Sequence, residues 1–193
     1  MRILHTIGRI SATPADSDVL DIARAQAAGG CHVVLSAAPQ APLAEAARAA
    51  GLSLAPAALE TGFAGRAAFA LRAAVRSHAI EVIHAHDDAA SVLALMCADL
   101  CPIIRTLGEM PESTLAFDHV IVAGAALRNR LVKAELIEPE HVTVASGSAE
   151  ARHARILEAY ERAIVRSLTG RLIPPRFIAG RPDLERLAAR AAE

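Results

Sequence analysis

Short apolar runs alternate with longer stretches of helical spacing from the first residue onward. Ile3 to Ile7 is apolar and strand-length. Asp16 to Ala28 places Val19, Ala23 and Ala27 on one side and carries Asp16, Asp18 and Asp21 where a helix dipole is positive; Gly29-Gly30 stops it. Val33 to Leu35 predicts a second strand and Pro42 to Ala50 a short alanine-rich helix. Leu52 to Leu59 predicts a weak third strand that Pro56 confines to a sheet edge. Gly65 to Ser77 reads as helix and Glu81 to His84 as the fourth strand. Ala89 to Leu100, apolar nearly all round, predicts a buried helix ended by Pro102. Ile103 to Thr106 is the fifth strand, with a loop from Leu107 to Phe117 after it. His119 to Ala123 and Val142 to Ala145 complete the strands, with a helix from Ala125 to Leu136 between them.

Strands separated by helices imply βαβ units, which require parallel pairing. The expectation is an α/β, Rossmann-like, doubly wound fold with a mostly parallel sheet of six to seven strands. After Ser146-Gly147-Ser148 the pattern changes. Glu150 to Leu168 is one long amphipathic helix with Ile156, Leu157, Tyr160, Ile164 and Leu168 as its apolar stripe. Pro174-Pro175 makes a break, and Leu184 to Ala192 predicts a last helix rich in Arg and Ala. The expected division is a Rossmann-like domain over residues 1–147 and a helical extension over 148–193. That extension packs on the sheet or meets a partner.

Composition narrows the function classes. A chain of 193 residues, 53% hydrophobic and 21% charged, suits one folded domain with a tail. Net charge is −1, basic residues are spread along the chain and aromatics are 3%, so nothing favours nucleic acid or an anionic membrane. The N-terminus reads as a strand rather than a signal peptide. The charge-free stretch from Ala27 to Ala44 is broken by Gly29, Gly30, Pro39 and Pro42, so no transmembrane segment is expected. Cys31, Cys97 and Cys101 are odd in number and form no CxxC pair. They point to a reduced, cytoplasmic setting and to no cysteine metal site; with no G-x-G-x-x-G after the first strand and no P-loop, no resident cofactor is expected.

The densest chemistry is His84-Ala85-His86-Asp87-Asp88 at the end of the fourth strand. Parallel sheets place ligands at strand carboxyl ends, which puts His86 and Asp87 where a site belongs. The alternative is structural: Asp87 or Asp88 caps the following helix, and His84 is buried and hydrogen-bonded. Thr106 and Glu109 fall on the same side after the fifth strand, with Glu109 able to bind a hydroxyl or act as a base. Gly8 and Gly124 end apolar strands, where glycine relieves crowding by chain or ligand. His84, His86 and Asp88 also partly match the H-x-H-x-D-H pattern of metallo-β-lactamase-fold hydrolases, but Ala89 stands where the next His belongs. Glu150/Glu158 and Glu185/Glu193 show E-x7-E spacing without a Gly-rich context and read as helix-face charge.

Four segments, in order, carry a family likeness: Arg2-Ile3-Leu4-His5-Thr6, Glu81-Val82-Ile83-His84-Ala85-His86, Pro102-Ile103-Ile104-Arg105-Thr106, and Phe117-Asp118-His119-Val120-Ile121-Val122-Ala123-Gly124. With Leu131-Val132 and the strand Val142 to Gly147, they resemble the N-terminal domain of glycosyltransferase family 4, which has the GT-B fold. The resemblance covers about residues 1 to 147. Ala154 to Glu161 is similar to that family's closing helix. The resemblance implies that the His84 to Asp88 stretch faces an interdomain cleft and contacts the acceptor; His84, His86 and Asp87, with Gly8, Thr106, Glu109 and Gly124 from their strand-end positions, are the candidate substrate-binding residues. It implies a sugar or glycolipid acceptor.

The departures are specific. Ser11-Ala12-Thr13-Pro14-Ala15 stands in place of the family's Gly-Gly loop, Leu107-Gly108-Glu109 in place of a His after Thr106, and no counterpart of the donor-binding domain is present. The expectation is the acceptor-side half of a GT-B enzyme, incomplete alone and completed by a homodimer or a separate donor-domain partner through residues 149–193. Two alternatives stand beside it: a non-catalytic binding or scaffold protein derived from such an enzyme, and a metal-dependent hydrolase using His84, His86 and Asp88.

Overall fold

The computed structural model describes residues 1–8, 14–56, 64–111 and 117–170. The elements follow one another as β1 (Arg2–Thr6), α1 (Pro14–Ala28), β2 (His32–Ala37), α2 (Pro42–Ala49), β3 (Ser53–Pro56), α3 (Ala64–Ser77), β4 (Val82–Ala85), α4 (Asp88–Leu95), β5 (Ile103–Leu107), β6 (His119–Val122), α5 (Ala125–Lys133), β7 (Val142–Val144) and α6 (Ala149–Gly170). The seven strands form one sheet in the order β3-β2-β1-β4-β5-β6-β7. Every neighbouring pair is parallel. This is the doubly wound, Rossmann-like arrangement. Pro56, which lacks a backbone donor, closes β3 at one outer edge.

Side chains alternate between two buried faces. Leu4, Val34, Ile83 and Ile103 pack under α3 and α4 against Leu71, Val75, Leu93 and Cys97. On the other face, Ile3, Val82, Ile104 and Ile121 meet Ile156, Ala159, Tyr160, Ala163 and Ile164 of α6. Val33 and Leu35 extend that face under α1 and α2. The apolar stripe of α6 is thus spent inside this chain. Arg166 fastens the helix to the start of β6, donating to His119 Nδ1 at 2.8 Å and to the Asp118 carbonyl at 3.1 Å. A docking surface on α6 has its polar face to offer, not its stripe.

Some boundaries differ from the sequence pattern for visible reasons. Helix α1 starts at Pro14, a residue preset for a first helical position. Helix α4 ends at Leu95 rather than Leu100. There the chain tightens into three-residue turns, Met96 N–H to Leu93 O and Cys97 N–H to Ala94 O, which deliver Cys97 and Cys101 into the core. Helix α5 stops at Lys133 because Glu135 adopts a left-handed φ of 52°, and its N–H and that of Leu136 close back on Val132 and Leu131. The expected helix from Leu184 to Ala192, the Pro174-Pro175 break and most of the Ser11 to Ala15 loop lie outside the described residues. No described helix is long and apolar enough to cross a membrane.

Candidate functional site

Strand order reverses beside β1: β2 and β3 lie on one side of it, β4 to β7 on the other. Crevices at such a switch point, at the strands' carboxyl ends, are where open α/β sheets hold ligands. Here β1 and β4 pair so that His5 stands directly opposite His84, both on the face covered by α1 and α6. Thr106, the last residue but one of β5, lies on the same face, two residues past Ile104, the partner of His84.

These side chains close into one hydrogen-bonded network. His84 Nδ1 lies 2.6 Å from Tyr160 Oη and its Nε2 lies 2.7 Å from Thr106 Oγ1. Gln26 Nε2 donates to Tyr160 Oη at 3.2 Å, while Gln26 Oε1 lies 2.7 Å from His5 Nε2. His5 Nδ1 lies 2.9 Å from His86 Nε2. One proton arrangement satisfies every contact. The Gln26 amide donates to Tyr160, so its carbonyl accepts from His5 Nε2–H. His5 Nδ1 then accepts from His86. Tyr160 donates to His84 Nδ1, and His84 Nε2–H donates to Thr106. His5, Gln26, His84 and Tyr160 are all 0% exposed. Burial, the main cause, lowers the His5 pKa to about 4 against a smaller opposing effect of its Gln26 bond. Burial likewise drives His84 well below the usual histidine value, with His5 beside it pushing the same way. Both rings are therefore neutral near pH 7. Burial also pushes the Tyr160 phenol far above its ordinary value.

His86 lies one residue beyond β4. Positions two apart along a strand share a face, so its ring lies beside His84, centroid to centroid 4.0 Å, and 5.1 Å from His5. The two histidines of the motif therefore share one site. His86 is half-buried, and its backbone N–H is held by the Thr6 carbonyl at 3.1 Å. Asp87 caps α4 by accepting from Ala90 N–H at 2.8 Å, and its other oxygen accepts from Gly8 N–H at 2.8 Å. Gly8 is required by space: a Cβ there would lie 2.6 Å from Ala89 Cβ and 2.8 Å from the Ala90 nitrogen. At Gly124 the chain itself does not crowd the position, since nothing lies within 4 Å of an added Cβ. Gly124 is simply the uncapped, extended residue before α5. Glu109 is exposed beyond β5, and Gly124 is half-buried beyond β6.

The hydrolase ligand set does not assemble. Asp88 points to the opposite sheet face, where it pairs with Arg105, whose guanidinium carbon sits 5.4 Å from the centre of the Phe117 ring. The third histidine is His5 instead, and one nitrogen from each of His5, His84 and His86 lies within 4.8 Å of the others. Sequence reasoning passed over His5, Gln26 and Tyr160. Each carried a signal: a polar residue at an inward position, His5 between Ile3 and Ile7, Gln26 three after Ala23, Tyr160 within the α6 stripe.

The sequence matches no family model and no curated protein. Solved structures do share its fold. A glycosyltransferase from Rickettsia africae ESF-5 superposes with a TM-score of 0.61 at 10% identity, covering 75% of this chain and 42% of that one. A putative UDP-N-acetylglucosamine 2-epimerase from Listeria monocytogenes gives 0.59 at 11%, covering 75% and 44%. Anabaena HepE, in complex with UDP and glucose, gives 0.58 at 16%, covering 76% and 44%. The chain thus spans less than half the length of these structures, and it has the fold of one Rossmann-like half of the GT-B architecture.

Proposed function

We propose that this chain is the acceptor-side lobe of a nucleotide-sugar-dependent glycosyltransferase of the GT-B type, related to family 4. One observation carries the proposal. At the switch point of a GT-B-like sheet, a half-exposed imidazole, His86, stands at the strand mouths on a closed and neutral polar network. In this proposal His86 hydrogen-bonds an acceptor hydroxyl of a sugar or glycolipid. Thr106, Glu109 and the N–H groups after Gly124 border the same rim. The site belongs to residues 1–147, with α6 of the helical extension bracing it through Tyr160. Glycosyl transfer needs donor phosphates held in register with the acceptor, and positioning of that kind supplies much of the rate. The proposal therefore assigns the nucleotide to a second lobe, on this polypeptide or on another. A second copy or a donor-domain chain would meet it over the polar side of residues 149–193.

The test is amide NMR on the purified chain with a panel of monosaccharides, glycolipid headgroups and UDP-sugars. Shifts at residues 84–90, 106–109 and 124–126 with a sugar, and none with UDP alone, are expected. Turnover of a nucleotide sugar by this chain unaided, or UDP binding at the strand mouths, would overturn the division of labour.

One observation favours the non-catalytic alternative. His84 and Thr106 bond to each other, and Asp87 is spent on the α4 cap and on Gly8. A site with those groups engaged suits binding without transfer. Supplying a donor-binding lobe separates the two: transfer that then depends on His86 supports the enzyme, and sugar binding without transfer supports the binding protein.

A further inference from the structure

We propose that His5, His84 and His86 form a binding site for a transition-metal dication of the zinc class. The site would have three imidazole ligands and an open position at the strand mouths. It shares His86 with the glycosyltransferase proposal but does not rest on that reading.

Three features point to it. The three rings come from β1, β4 and the turn after β4, and they converge with centroids 4.0 to 5.4 Å apart and one nitrogen each within 4.8 Å. Tetrahedral zinc with Zn–N bonds of about 2.0–2.1 Å needs nitrogens about 3.3 Å apart. His5 Nδ1 and His86 Nε2 are already 2.9 Å apart. Two imidazole nitrogens aimed at each other need either a proton or a cation between them. Second, metal-bound histidines characteristically donate their far N–H to a fixed oxygen, which sets ring orientation. His5 does this through Nε2 to Gln26 Oε1 at 2.7 Å. His84 would ligate through Nε2 in place of its Thr106 bond, its proton moving to Nδ1 so that the ring donates to Tyr160 Oη, 2.6 Å away. Third, imidazole suits borderline dications, and all three donors that converge here are imidazoles held at or next to strand ends. His86, half-buried at the rim, already brings Nε2 to 2.9 Å from His5 Nδ1 and completes the triad. Three protein ligands leave the fourth position for water or a ligand oxygen, the pattern of open zinc sites.

The experiment titrates the chelator-treated chain with Co²⁺ and then Zn²⁺, following the visible ligand-field bands of protein-bound cobalt. One equivalent of Co²⁺ with intense bands, displaced by one equivalent of Zn²⁺, is expected. The variant His86→Ala should bind at least about tenfold more weakly and lose the bands, because even outer partners of metal ligands are worth about 10–100-fold. A control is His78→Ala, which removes one member of the separate His32–His78 stacked pair (centroids 5.7 Å apart) and should leave binding unchanged. Wild-type protein that takes up no cobalt overturns the site, whatever the variants do. So does uptake that survives His86→Ala or that disappears in His78→Ala. In either case the cluster is a closed hydrogen-bond network and nothing more.

Discussion

Replacing Tyr160 by Phe removes one oxygen and leaves the ring, so it isolates the network from packing. The lost hydroxyl serves two buried groups, accepting from Gln26 Nε2 and donating to His84 Nδ1. Tyr160 is 0% exposed, so water does not replace it without rearrangement. A buried polar group left unsatisfied costs about 1–3 kcal/mol. Two such groups put the expected loss at about 2–6 kcal/mol, a large share of the about 5–15 kcal/mol typical of a domain. Urea unfolding followed by far-UV circular dichroism measures it. The midpoint should fall while the slope m stays unchanged, because the surface exposed on unfolding is the same. A double-mutant cycle with Gln26→Leu should show coupling of about 0.5–3 kcal/mol, since that variant removes the stranded donor. A Tyr160→Phe loss below about 0.5 kcal/mol, or strict additivity with Gln26→Leu, would refute a buried, closed network.

Three further expectations follow from the same coordinates. His5, with its pKa lowered to about 4, and His119, lowered to about 3, stay neutral in the folded chain while their unfolded counterparts protonate below about pH 6.5. The unfolded state then binds more protons, so stability is complete above about pH 6.5 and falls at up to about 1.4 kcal/mol per pH unit per histidine down to the folded pKa; urea midpoints at pH 7 and pH 5 check the sign. Tyr160 is the only tyrosine and the chain has no tryptophan, so tyrosinate absorbance in an alkaline titration should appear together with loss of circular dichroism rather than before it. Gly8→Ala should cost about 1–3 kcal/mol through overpacking against α4, whereas Ala79→Gly should stabilise by about 1 kcal/mol because Ala79 holds a left-handed φ of 49°; both read out in thermal melts.

Local pattern made the sheet legible. Alternating short apolar runs and helical stretches gave the seven strands and their parallel pairing, and Pro56 marked the edge. Half of the site was legible in the same way, because His84 and His86 sit together at a strand end. The other half was not, for a physical reason. Register decides that His5 faces His84, and helix docking decides that Tyr160 reaches them, across sequence separations of 79 and 76 residues. No local spacing encodes either event. Asp88 shows the converse: its neighbours in sequence suggested a ligand, but the turn into α4 carried it to Arg105 on the far face.

The bond between Gln26 and Tyr160 joins positions 134 apart in sequence, from the first helix to the last described one. Contacts of such range form late, after most of the chain-closure entropy has been surrendered. While the polypeptide is still being synthesised, His5 and His84 would have their strands but not their roof, and solvent would reach both rings. The last helix to arrive therefore acts as the closing stroke of assembly, turning two wet imidazoles into dry ones in a single step.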